Sequence, residues 1–169
     1  MGKQLTMMSD MLFRDTVDPD HLRVAASRAF GIAPNLVSVA EAAGLKAIPD
    51  EARVVMLRES QDMPGDFPAW YGMSVDPTLV DRAAAAVSTI ARTLDAVLLT
   101  DAEDEQDITL HLPNGSGHVV RLEQGDDDAF RITPEMHQLI ESVGRRAPGT
   151  GNSPTDPSQA TNRRKAIAG

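Results

Sequence analysis

The side chains best placed to do chemistry are carboxylates, and they are crowded. Asp101, Glu103, Asp104, Glu105 and Asp107 are followed after a short interval by Glu123, Asp126, Asp127 and Asp128. Arg121 is the only base among them, so this stretch holds most of the chain's formal net charge of −9. Carboxylates this dense repel one another, so they belong either to solvated loops or to a surface that meets something positive. Oxygen-rich clusters also suit calcium or magnesium. A helix–loop–helix calcium loop needs glycine at its sixth position and glutamate at its twelfth. Counted from Asp101, those positions hold Gln106 and Leu112, so the pattern fails where it is most specific. A looser site that adds Asp126, Asp127 and Asp128 requires the two acidic loops to meet. The plainer alternative is solvated charge that keeps the surface soluble and blocks strand-to-strand association. No metal ligand set and no cofactor are expected.

Other reactive groups carry less. The histidines are His21, His111, His118 and His137. His111 and His118 flank one turn, but no third zinc ligand stands at a fixed spacing, so surface imidazoles are expected. His111, facing away from the Leu110 side, is placed with the acidic residues as a partner contact. Gly115-Ser116-Gly117 lacks the spacing of a nucleophile elbow and reads as a turn. No glycine-rich phosphate loop precedes a helix. The chain has no cysteine, which excludes disulfides, thiolate nucleophiles and Cys-ligated metals, and fits a reducing compartment. No catalytic residue is assigned. Trp70, beside Tyr71 and after Phe67, is either an aromatic anchor for a partner or a strand residue packed on a helix.

Charge and hydropathy narrow the classes further. An acidic chain is a poor match for nucleic acid, which needs clustered Lys and Arg. The only basic cluster is C-terminal: Arg145, Arg146, Arg163, Arg164 and Lys165. No apolar run approaches the roughly 20 residues of a membrane span, and no signal peptide is expected. Met1 to Thr6 matches a loose myristoylation pattern, which is short enough to arise by coincidence. A cytoplasmic location, as a monomer or homodimer, is the expectation.

The elements that must position these groups fit a single α+β domain in a chain of 169 residues. Asp18-Pro19 and Asp76-Pro77 each cap and start a helix. Leu22, Ala25, Ala26, Ala29 and Phe30 form the inner stripe of the first helix. Val80, Ala83, Ala84, Val87, Ile90, Ala91 and Leu94 form that of the second. Strands are expected at 36–40, 53–58, 70–75 and 97–100. Ile108, Leu110 and Leu112 then alternate up to the Pro113–Gly117 turn, and Val120 and Leu122 alternate after it. This is a β-hairpin with Leu110 opposite Val120 and Ile108 opposite Leu122. A short strand over 130–132 and a helix from Thr133-Pro134 close the fold. The expectation is a mostly antiparallel sheet of about six to seven strands packed by two main helices and a short C-terminal helix. Residues 1–11 are expected to be flexible, 12–143 to form the domain, and 144–169 to be a disordered basic tail. The repeated Val-Asp-Pro helix start permits a duplicated βαββ unit, though capping physics alone also explains it.

The layout resembles that of small acidic bacterial proteins, including immunity proteins of polymorphic toxin systems. The resemblance rests on Gly65-Asp66-Phe67-Pro68 before a strand, the Ala-rich helix over 81–95, Val97-Leu98-Leu99-Thr100-Asp101 after it, and the Leu112-Pro113-Asn114-Gly115 hairpin. It implies tight binding and occlusion of a basic toxin domain, such as a nuclease, with no enzymatic activity. The implied contacts are Asp101, Glu103, Asp104, Glu105, Asp107, Asp126, Asp127, Asp128, His111 and Trp70. An acidic chaperone-like module for a secreted substrate and a metal-dependent hydrolase remain the alternatives.

Overall fold

The structure is a computed structural model and describes residues 4–43, 48–104, 106–121, 123 and 127–144. Seven strands form one mixed sheet: β1 (Thr6–Phe13), β2 (Val37–Glu41), β3 (Val54–Arg58), β4 (Ala69–Val75), β5 (Leu98–Asp101), β6 (Asp107–His111) and β7 (Gly117–Arg121). Their spatial order is β2-β3-β4-β1-β5-β6-β7. Among the described strands, only β2 and β3 pair in parallel. Among the described residues, three α-helices accompany them: α1 (Pro19–Phe30), α2 (Ala83–Leu94) and α3 (Pro134–Gly144). The α+β expectation holds.

Both long helices are crossovers, α1 from β1 to β2 and α2 from β4 to β5. β1 and β4 run in opposite directions, and their crossovers move in opposite directions along the sheet. The right-handed crossover rule then puts both helices on the same face. There they bury Met11, Phe13, Val54, Met56, Tyr71, Met73, Val75 and Leu98. Phe13 and Tyr71 meet edge to face at 5.7 Å. The opposite face buries Leu12, Leu99, Ile108, Leu110 and Val120 beneath α3, through Met136 and its neighbours. Covering both faces explains why Val97-Leu98-Leu99 reads as an unbroken apolar run. Each fully buried side chain of this kind contributes roughly 1.5–3 kcal/mol.

Helix ends follow the sequence signals. Asp18 Oδ1 accepts the backbone N–H groups of Asp20 and His21, both at 3.0 Å. Gly31 ends α1 at φ 65°, a left-handed conformation that suits glycine. Asp76 accepts the N–H of Thr78. Pro77–Arg82, however, winds as a tight 3-10 helix before α2 begins. Its three residues per turn shift the phase of α2 relative to the start at Pro77. Leu79 is therefore buried, while Ala84, expected in the stripe, is exposed.

Several expectations are corrected. Residues 1–11 are not uniformly flexible, because Thr6–Phe13 forms β1. A bulge between Met7 and Ser9 interrupts the two-residue alternation that would have announced the strand. The hairpin pairs Ile108 with Val120 and Leu110 with His118, two residues away from the expected register. The loop is shorter than Pro113–Gly117: Leu112 donates its N–H to Ser116, and Gly115 takes the left-handed position at φ 84°. A two-residue shift keeps every side chain on its face, so alternation cannot detect it. Residues 130–132 form only an isolated bridge, Phe130 to Gly65. The two βαββ halves also differ: β5 pairs with β1, but β3 rather than β2 pairs with β4, which removes the case for duplication. Leu122 and the tail from residue 145 onward lie outside the described residues.

Candidate functional site

The acidic stretch is organised by two neighbouring strands. β5 ends at Asp101, β6 begins at Asp107, and the register sets Asp101 opposite Ile108 and Asp107 opposite Arg121. Between them, Glu103 and Asp104 are exposed. Asp104 Oδ1 accepts the N–H of Gln106 at 3.1 Å, and its carbonyl accepts that of Asp107 at 3.0 Å. This local turn reverses the chain and holds the carboxylates at one end of β5–β6. Among the described residues, no ion pair or side-chain hydrogen bond engages Asp101, Glu103 or Asp107. Arg121 Nη2 reaches toward Gln106 instead, at 3.4 Å.

One more carboxylate belongs here that sequence reasoning missed. β5 pairs with β1 only through Met11, Leu12 and Phe13. The next rung would set Asp10 against Asp101. Both stand on the face that carries Leu12 and Leu99, because side chains alternate. Like charges directly opposite destabilise a ladder, and this ladder stops there. Asp10 lies over Gly72, where an added Cβ would come within 3.5 Å of its Oδ1. The available signal was a lone carboxylate inside an otherwise apolar run, Met7 to Phe13.

The second group of anions sits elsewhere. Asp127 is bound by Arg131 Nη2 at 2.5 Å and also accepts the N–H of Ala129. The chain beyond it is tied to the loop before β4: Asp66 donates its N–H to Phe130, and its Oδ2 accepts the N–H of Ile132. Gly65 and Asp66 precede Ala69, at the end of β4 away from Val75. Asp127 and Asp128 are thus anchored to a different part of the sheet from Asp101 and Asp107. Glu105 and Asp126 lie outside the described residues.

One proposed contact, His111, is corrected, and a second, Trp70, is placed in a packed layer. His111 is only 6% exposed, because α2 covers the face it points to. Its Nε2 lies 2.9 Å from Thr100 Oγ1, and its Nδ1 lies 3.4 Å from Ser88 Oγ. Burial pushes its pKa down to about 4. A neutral ring has one donor and one acceptor nitrogen, and a hydroxyl can serve either. His111 is a structural polar link and offers a partner nothing. Trp70 is half-buried and packs with the core beneath α3, its Nε1 covered and without a hydrogen-bond partner among the described residues.

Ser116 Oγ lies 3.0 Å from His118 Nε2 and donates to Asn114 Oδ1 at 2.6 Å. The hydroxyl proton is directed at the amide, not at the imidazole, so this pair is not arranged as a nucleophile and its base. A cavity of about 170 Å³ opens between Asp15–Asp18, His21 and Leu94–Ala96, beyond the Phe13 end of β1. Among the described residues, no three His, Asp or Glu side chains are grouped to hold a metal ion. No helix there is long and apolar enough to cross a membrane. No family model, curated protein or solved structure significantly matches the chain.

Proposed function

We propose that this chain is a binding protein of the immunity or inhibitor type, which docks a cationic protein against the acidic end of β5 and β6. The observation that carries this reading is the fixed display of Asp101, Glu103, Asp104 and Asp107 on two adjacent strand ends and their connecting turn. Opposing charge of this kind raises association rates and suppresses wrong partners more than it adds affinity. The spaced carboxylates imitate a phosphate run, so the partner best suited is a toxin domain whose Lys and Arg handle nucleic acid. On this reading the protein acts in the bacterial cytoplasm, without nucleic acid or membrane as its own ligand.

The test is calorimetric titration with purified cationic nuclease toxin domains, beginning with any encoded by the adjacent reading frame. Complex formation that weakens steeply with salt is expected. A variant with Asp101, Glu103, Asp104 and Asp107 changed to Asn or Gln should lose it. Undiminished binding by that variant would overturn the reading.

A further inference from the structure

We propose that the half-strand Thr6–Asp10 of β1 is a strand acceptor: a cationic extended segment of the partner adds to the sheet there, in line with β5. This deepens the docking function above and rests on it.

β1 is paired with β4 from Thr6 opposite Val75 to Phe13 opposite Ala69, with Met8 left over in a bulge between Met7 and Ser9. On its other side, β5 accompanies only Met11–Phe13. Among the described residues, no backbone hydrogen bond reaches Thr6–Asp10 from that side. Among the described residues a notch is therefore left at the step where β5, β6 and β7 end beside β1. Its floor is Thr6–Asp10, kinked by the Met7–Ser9 bulge and bordered at its Asp10 end by Asp101. Open edges of this kind accept an added strand through main-chain hydrogen bonds, with side-chain preferences supplying selectivity.

The neighbours of the notch say what occupies it. Asp10 and Asp101 face it from the same side of the sheet, and Glu103 and Asp104 stand where the chain turns away from β5. Met7, 69% exposed, is on the same face as Asp10, since Met7 opposes Ser74 and Asp10 opposes Gly72. A Lys or Arg in the added strand can lay its stem on Met7 and its charge between Asp10 and Asp101. On the other face the notch borders Met8, which packs against the helix-side core. The fitting segment alternates cationic and aliphatic residues. A second copy of this chain is selected against, because edge-to-edge pairing would bring two sets of carboxylates together. The outer strands β2 and β7 lack this complement: β7 carries His118 and Arg121, and β2 carries one acid, Glu41.

The probe is a blocked heptapeptide of alternating lysine and valine, titrated into the isotope-labelled full chain and followed by calorimetry and amide NMR. Two control peptides keep the same charge but carry N-methyl groups, one on the lysine amides and one on the valine amides. Only one edge of the peptide backbone pairs with β1, so one control should bind at least tenfold more weakly. Shifted and exchange-protected amides should map to Thr6–Asp10. The Asp10→Asn, Asp101→Asn double variant should weaken the parent peptide at least tenfold. Equal binding of all three peptides, or protection mapping to β2 or β7, would overturn strand addition while leaving acidic docking intact. A cationic toxin bound by a chain that ignores all three peptides would also overturn it. Loss of toxin binding is read separately, from the four-residue charge variant, so the two proposals fail independently.

Discussion

His111 Nε2 and Thr100 Oγ1, on adjacent strands, stand 2.9 Å apart beneath α2, which completes the link through Ser88. The contact joins β5, β6 and α2 by a polar bridge inside an apolar layer. Such a bridge works only with a neutral ring, since a proton added to a buried imidazole lacks solvation.

Stability should therefore depend on pH through His111. Its pKa falls from 6.5 in the unfolded chain to about 4 in the fold. The folded state binds the proton less readily, so the contribution is fully present above 6.5. It is lost progressively as pH falls from 6.5 through about 4. The linked change is on the order of 3 kcal/mol at 1.36 kcal/mol per unit. Denaturant melts at pH 7 and pH 4.5 should show the drop. His111→Gln should flatten that part of the slope, and an unchanged slope would count against the assignment.

Asp10 and Asp101 should repel in the free protein. Asp10→Asn or Asp101→Asn is expected to raise stability by a few tenths to about 1 kcal/mol. The double variant should gain less than the sum of the two, because either change alone relieves the same repulsion. A double-mutant cycle in urea measures this. Strict additivity would place the two carboxylates too far apart to interact.

Gly65 should not tolerate a side chain. Its φ is 103°, and an added Cβ would lie 2.5 Å from the Phe130 carbonyl oxygen. Gly65→Ala combines backbone strain with loss of the bridge that ties residues 130–132 to the loop before β4. A cost of about 1–3 kcal/mol or more is expected. A lowered thermal midpoint and faster hydrogen exchange at Phe130 and Ile132 would report it.

Glu103→Gln with Asp104→Asn should behave differently from any core change. Glu103 is exposed and without a described partner, so stability should move by no more than about 0.5 kcal/mol. Association with a cationic partner should slow several-fold, with a weaker salt dependence. Stopped-flow mixing at two ionic strengths separates on-rate from off-rate. An effect confined to dissociation would remove the steering role.

Much of the fold was legible because its signals are local. Asp18-Pro19 and Asp76-Pro77 start helical segments, Gly31 stops one, and Tyr71, Met73 and Val75 share a buried face as their spacing requires. The site was less legible. Asp101 to Asp107 stand out in any reading of charge, but Asp10 does not, because only the β1–β5 register makes it their neighbour. His111 looked like a surface imidazole because nothing local announces that α2 crosses above it. The hairpin register failed for a similar reason: Gly115 set the loop length, and alternation repeats every two residues.

Composition, periodicity and capping by themselves determined that this protein has two crossover-length helices, alternating strands and a dense run of carboxylates. Each of those rests on chemistry between residues close in the chain. Strand order, the parallel β2–β3 pair, the separation of Asp127 from Asp101 and the open notch beside Thr6–Asp10 were decided only by tertiary structure. They depend on which faces can be buried together and which charges can stand side by side, and those are properties of pairs of residues distant in the chain.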